Sequence, residues 1–90
     1  MTSLPIRVEP KAMAVMCGSD ELRVSLADGR TLYVPIAWFP RLAHATQLER
    51  EDCEILGDGE GIHWPQVDED ISVAGLLAGQ RSLESKGALA

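Results

Sequence analysis

A chain of ninety residues with 46% hydrophobic and only 4% aromatic content fits one small folded domain, burying roughly 60–65% of its unfolded surface with a stability on the order of 5 kcal/mol. That apolar content excludes wholesale disorder. The net charge of −6 is unevenly spread: residues 1–48 carry +1, residues 49–70 carry −8 and residues 71–90 carry +1. An acidic middle repels phosphates, so the electrostatic footprint of a nucleic-acid binder is absent; it suits a basic protein partner or a cation, or serves simply as a solubilising face.

The amino-terminal MTSLPIRVEP has no apolar run of signal-peptide length, and no stretch approaches a membrane span. A cytoplasmic protein is expected, with Cys17 and Cys53 as free thiols, since their separation matches no zinc spacing.

In chain order, a first strand is predicted near residues 11–17, closed by the turn cluster Gly18-Ser19-Asp20. A second runs near 21–26, where Leu22, Val24 and Leu26 alternate with polar residues. A third covers about 30–36, with Leu32, Val34 and Ile36 alternating. A two-residue Asp28-Gly29 loop would put the two apolar sets on opposite faces. The three-residue loop Ala27-Asp28-Gly29 pairs Val24 with Leu32 and Leu22 with Val34, giving one shared apolar face. The spacing therefore predicts a type I turn with Gly29 in the left-handed conformation.

Pro40 suits a first helical position, opening a short helix to about Ala45. Thr46 and Glu49 form a capping-box pattern for a second short helix over about 47–52. Residues 53–56 and 62–64 read as a fourth and a fifth strand, around a flexible glycine loop from Gly57 to Gly61. The last helix, near 73–78, is predicted to be capped by Ser72, with Asp68, Glu69 and Asp70 just upstream of its positive end. Ile71 and Leu76 are spaced as a hydrophobic staple, and Gly79 stops the helix. The expected fold is α+β: a small antiparallel sheet of three to five strands, two short helices and a carboxy-terminal helix, with residues 1–79 as one domain and 80–90 as a flexible tail.

The stretch GDGEGIHWPQVDEDIS, residues 57–72, concentrates the chemistry-bearing side chains. His63 with Asp68, Glu69 and Asp70 has the residue types of a metal or acid–base site, but the spacing matches no metal signature, and a surface histidine on a strand, its side chain opposite that of Trp64, is the expected reading. Asp58-Gly59-Glu60-Gly61 lacks the alternating acids and distal glutamate of an EF-hand. The glycines at 57, 59 and 61 are not a phosphate-binding fingerprint, and the acids around them would repel phosphate. Ser72 sits in no nucleophile elbow, and its place as a helix cap already accounts for it. No catalytic set, cofactor site or metal site is expected. Phe39 and one of Trp38 and Trp64 are expected in the core, leaving the other tryptophan partly exposed. An aromatic anchor beside an acidic rim predicts a partner-binding face made of Trp38, His63, Trp64, Asp68, Glu69 and Asp70.

On residues 8–79 the chain resembles the bacterial family filed as domain of unknown function 2442. The resemblance rests on the Asp28-Gly29 hairpin, Trp38-Phe39-Pro40-Arg41-Leu42, Gly61-Ile62-His63-Trp64-Pro65, Asp68-Glu69-Asp70-Ile71-Ser72 and Gly75-Leu76-Leu77. It implies a small α+β fold and no established activity. Relatives often lie beside a second small protein in suspected toxin–antitoxin pairs. Some carry an added helix-turn-helix domain, for which ninety residues leave no room, so direct nucleic-acid binding by this chain alone is not expected.

The leading expectation is a small acidic, non-enzymatic interaction protein, the antitoxin-like half of a two-gene module, binding a small basic protein. The alternative is a metal- or ligand-binding domain using His63, Asp68, Glu69 and Asp70. A third reading is a homo-oligomer joined through an exposed edge strand.

Overall fold

The computed structural model describes residues 10–81. Among them, six strands form two antiparallel sheets of three. The first contains β1 (Ala12–Cys17), β2 (Glu21–Leu26) and β3 (Thr31–Pro35), in that order across the sheet. The second contains β4 (Glu54–Leu56), β5 (Gly61–Trp64) and β6 (Glu69–Ser72), again in sequence order. A 3-10 turn (Ile36–Trp38), α1 (Pro40–Ala43) and α2 (Gln47–Glu51) connect the sheets, and α3 (Val73–Leu77) follows β6. The class is α+β as expected, but with two sheets where one was expected. No helix among the described residues is long and apolar enough to cross a membrane.

The β2–β3 hairpin has the register that a common apolar face demands: Leu22 pairs with Val34 and Val24 with Leu32. Gly29 has φ +98° and donates its N–H to Leu26 O at 3.1 Å. Arg30 locks the turn, since its backbone N–H and its Nε–H both reach the Asp28 carboxylate, at 3.0 and 2.8 Å. The Arg30 side chain thereby holds the Asp28 carboxyl below its ordinary range.

Pro40 occupies the start of α1, where its missing N–H costs no hydrogen bond. α2 opens on the capping box: Glu49 N–H donates to Thr46 Oγ1 at 3.2 Å, and Thr46 N–H to Glu49 Oε1 at 2.8 Å. Arg50, buried at the end of α2, ties the two helices together. Its guanidinium donates to Leu42 O at 3.2 Å, to Ala45 O at 2.6 Å and to Gln47 Oε1.

The acids at 68–70 lie just upstream of α3 as expected, and they also lead into and form β6, a strand that was not expected. Asp68 takes φ 54°, a left-handed conformation that aspartate tolerates better than most residues, and so reverses the chain after Pro65. Ile71 then lies opposite Ile62, and Asp70 opposite His63. Ser72 still caps α3, accepting the Gly75 N–H at 3.1 Å. The helix ends in a Schellman arrangement: Gly79, at φ +79°, donates to Leu76 O, and Gln80 donates to Gly75 O.

The two sheets share one core. Leu22, Val24 and Val34 from the first, Ile62, Trp64 and Ile71 from the second, and Phe39, Leu42 and Leu76 from the helices belong to a single buried cluster. The glycine loop expected to be flexible is the seam between the sheets. Gly59 is buried, and its carbonyl accepts the Ala12 N–H at 2.7 Å, while Glu60 O accepts the Val73 N–H at 2.9 Å. Lys11 Nζ lies 3.6 Å from Asp58 Oδ2 above the same seam. Most of the tail expected from residue 80 onward lies outside the described residues, as do residues 1–9 of the expected domain.

Candidate functional site

The second sheet sorts its side chains by the period of two. Ile55, Ile62, Trp64 and Ile71 fall on one face, and the last three are buried. The opposite, outward face has two rows set by the register. Glu54, His63 and Asp70 form one row; Leu56, Gly61 and Ser72 form the other. His63 Nδ1 lies 2.6 Å from Asp70 Oδ1. A carboxylate only accepts, so Nδ1 carries the proton and donates it. Cross-strand placement directly opposite makes this contact without any loop rearrangement.

The expected site residues separate into three groups. His63 and Asp70 meet. Asp68 turns instead toward Arg41, whose Nη1 donates to the Asp68 carbonyl at 2.8 Å and sits 3.9 Å from its carboxylate. Glu69 lies opposite Trp64 and is half-buried. The four residues of the metal-site alternative are thus not gathered around one point. Among the described residues, no group of three or more histidines, cysteines or acids is placed to hold a metal ion.

Trp64 corrects the expectation of an exposed anchor. It has no exposed surface, and its indole N–H donates to Arg50 O at 3.0 Å. The alternation of β5 explains this: Ile62 and Trp64 point inward together, leaving Gly61 and His63 outward. Trp38 is the half-buried tryptophan, and the Arg81 guanidinium covers its ring at 4.8 Å from the centroid. Phe39 is buried as expected.

The exposed apolar residue that accompanies the acids is Leu56, at 41% exposure. Its row contains Gly61, which contributes no side chain, so a groove opens on the outward face. It is a shallow, open groove of about 430 Å³, lined by Leu56, Gly57, Glu60, Gly61, Asp70 and Ser72. Sequence reasoning missed it because Gly61 was read as the end of a loop. A glycine inside a strand signals either a bulge or close approach of another group, and that was the available clue.

Charge follows the same division. Residues 54–72, which make the second sheet and its turns, hold six acids and no lysine or arginine. Residues 12–35, the first sheet, hold three acids and two arginines. Lys11 and Arg41 approach the acidic sheet beside Asp58 and Asp68.

Neither thiol has the environment of a nucleophile. Burial pushes Cys17 up from 9.0 to about 11, and burial also raises Cys53. A group with a raised folded pKa contributes stability below its unfolded value and loses it as pH climbs through the folded one. Urea melts should therefore show stability falling between pH 9 and about 11, and Cys17→Ser should flatten that fall. An unchanged slope in the variant would refute the assignment.

A small α+β domain built from two three-stranded sheets around one core, with an acidic outward face on the second, is the class these features define. The chain belongs to the family of proteins of unknown function designated DUF2442, whose model matches residues 12–82. It is similar to the crystal structure of a protein of unknown function from Rhodospirillum rubrum, with a TM-score of 0.74 and 34% identity over 83% of this chain and 93% of that one. It is also similar to the solution structure of an uncharacterized protein from Chromobacterium violaceum, with a TM-score of 0.68 and 27% identity over 80% of this chain and 68% of that one. No curated protein matches the chain.

Proposed function

We propose that this chain is a non-enzymatic interaction protein, the acidic, antitoxin-like half of a two-gene module, which binds a basic protein partner through the outward face of its second sheet. The observation that carries the reading is the charge division: six acids and no lysine or arginine over residues 54–72, with Glu54 and Asp70 in one row of the outward face. Such a face steers a cationic partner and repels nucleic acid. Its free thiols accord with action in the cytoplasm.

Co-expression with the product of the adjacent gene tests it. A complex should form at low salt and weaken severalfold between about 50 and 500 mM sodium chloride, because exposed charges are screened over a few ångströms at the higher strength. Glu54→Gln combined with Asp70→Asn should weaken it further at low salt and reduce its salt dependence. Absence of a complex at low salt would overturn the proposal.

A further inference from the structure

We propose that the groove over Gly61 is where the partner's chain docks, and that its occupant is a basic segment presenting one aliphatic side chain between lysines or arginines. This rests on the interaction reading above and specifies its site. The register puts Leu56 and Ser72 on either side of Gly61. The missing side chain leaves a one-residue gap in an otherwise continuous row. A Cβ built at Gly61 would lie 3.6 Å from Leu56 Cδ1 and 3.5 Å from Ile71 O, so the gap has an apolar wall and a carbonyl at its back. Its rim is acidic: Glu60 and Asp70 line the groove, and Glu54 stands in the next row beside His63.

Charge complementarity chooses the occupant. An aliphatic side chain fits the apolar notch, and cations flanking it would meet the acidic rim. A second copy of this chain presenting the same face would set acid against acid, which disfavours a symmetric dimer here. Nucleic acid would meet the same repulsion.

Gly61→Ala is a mild probe, because its Cβ would make only ordinary van der Waals contacts and Gly61 has no positive φ. Leu56→Ser removes the wall from an exposed position. The ligand is a synthetic hexapeptide alternating lysine and leucine, titrated into isotope-labelled protein and followed by amide chemical shifts. Shifts centred on Leu56, Gly61 and Ser72 are expected. Each variant should weaken binding by at least about fivefold, the scale of losing part of one buried aliphatic side chain. A lysine–serine peptide should bind more weakly than lysine–leucine, and a glutamate–leucine peptide not at all.

Equal binding of the lysine–leucine and lysine–serine peptides, with both variants unaffected, would overturn the groove while leaving an acidic interaction face standing. Shifts centred elsewhere, or none, would overturn it as well. Co-purification with the neighbouring gene product judges the parent reading independently, since neither groove variant enters that experiment.

Discussion

Gly59→Ala should be the most damaging glycine-to-alanine change among the described residues. Gly59 has φ +104°, and an added Cβ would lie 2.6 Å from Ala12 O and 2.8 Å from Ala12 N. Both neighbours are backbone atoms of β1, in the strand that hydrogen-bonds to this loop, so neither can rotate away. The left-handed conformation alone costs about 1–2 kcal/mol for a residue with a Cβ. Parting the seam adds loss of the Ala12 N–H to Gly59 O bond and disturbs the Val73 N–H to Glu60 O bond beside it. The expected total is on the order of 3–4 kcal/mol, a fall in Tm of roughly 15–25 °C for a domain this size. Gly29→Ala is the control. Its φ of +98° is similar, but nothing lies within 4 Å of the added Cβ. It should lose only the conformational cost, about 1–2 kcal/mol. Thermal melts of the two variants side by side decide the matter, and equal losses would mean that the seam carries no special strain.

Trp64→Ala should be at least as severe. The side chain is fully buried at the centre of the shared core, and truncation of a buried tryptophan costs about 3–5 kcal/mol. Against a total stability on the order of 5 kcal/mol, about 0–2 kcal/mol would remain, leaving up to about half of the molecules unfolded at 25 °C. Trp64→Phe separates packing from hydrogen bonding. It keeps most of the apolar volume but deprives Arg50 O of the indole N–H, at a cost of about 1–3 kcal/mol for an acceptor left buried. Trp38→Phe should lose no more than about 1 kcal/mol, because Trp38 is half-buried and its stacked Arg81 is exposed. Urea denaturation followed by circular dichroism should rank the three as Trp64→Ala, Trp64→Phe, Trp38→Phe. A larger loss at Trp38 than at Trp64→Phe would contradict the assignment of the core tryptophan.

These two residues also separate the structural part of residues 56–72 from the part left for recognition. Gly59 and Trp64 hold the sheets together, and the outward His63, Asp70, Leu56 and Gly61 remain on the surface. Changes at the first pair should act through folding. Changes at Gly61 or Leu56 should leave the melt nearly intact, so an effect there on peptide binding would report contact.

Local signals determined much of the architecture. The β2–β3 register was legible because only one loop length gives Leu22, Val24, Leu32 and Val34 a common face, and side-chain alternation makes a one-residue slip costly. Pro40, the Thr46–Glu49 box, the Ser72 cap and the Gly79 stop were legible because each satisfies backbone groups within a few residues of itself. The concentration of acids at 49–70 was likewise plain from the chain alone.

Tertiary structure decided the rest. β6 has three acids at and before its start, and local propensity argues against a strand there; pairing of Ile71 with Ile62 across the sheet overrides it. Long-range packing alone selected Trp64 over Trp38 for the core, because the pleat of β5 had to turn inward with Ile62. It also set Asp70 beside His63 and Glu69 opposite Trp64, on opposite faces of the sheet, since successive residues of a strand face opposite ways. The groove at Gly61 arises from the register of three strands together, and a register between distant segments is set by the core they share.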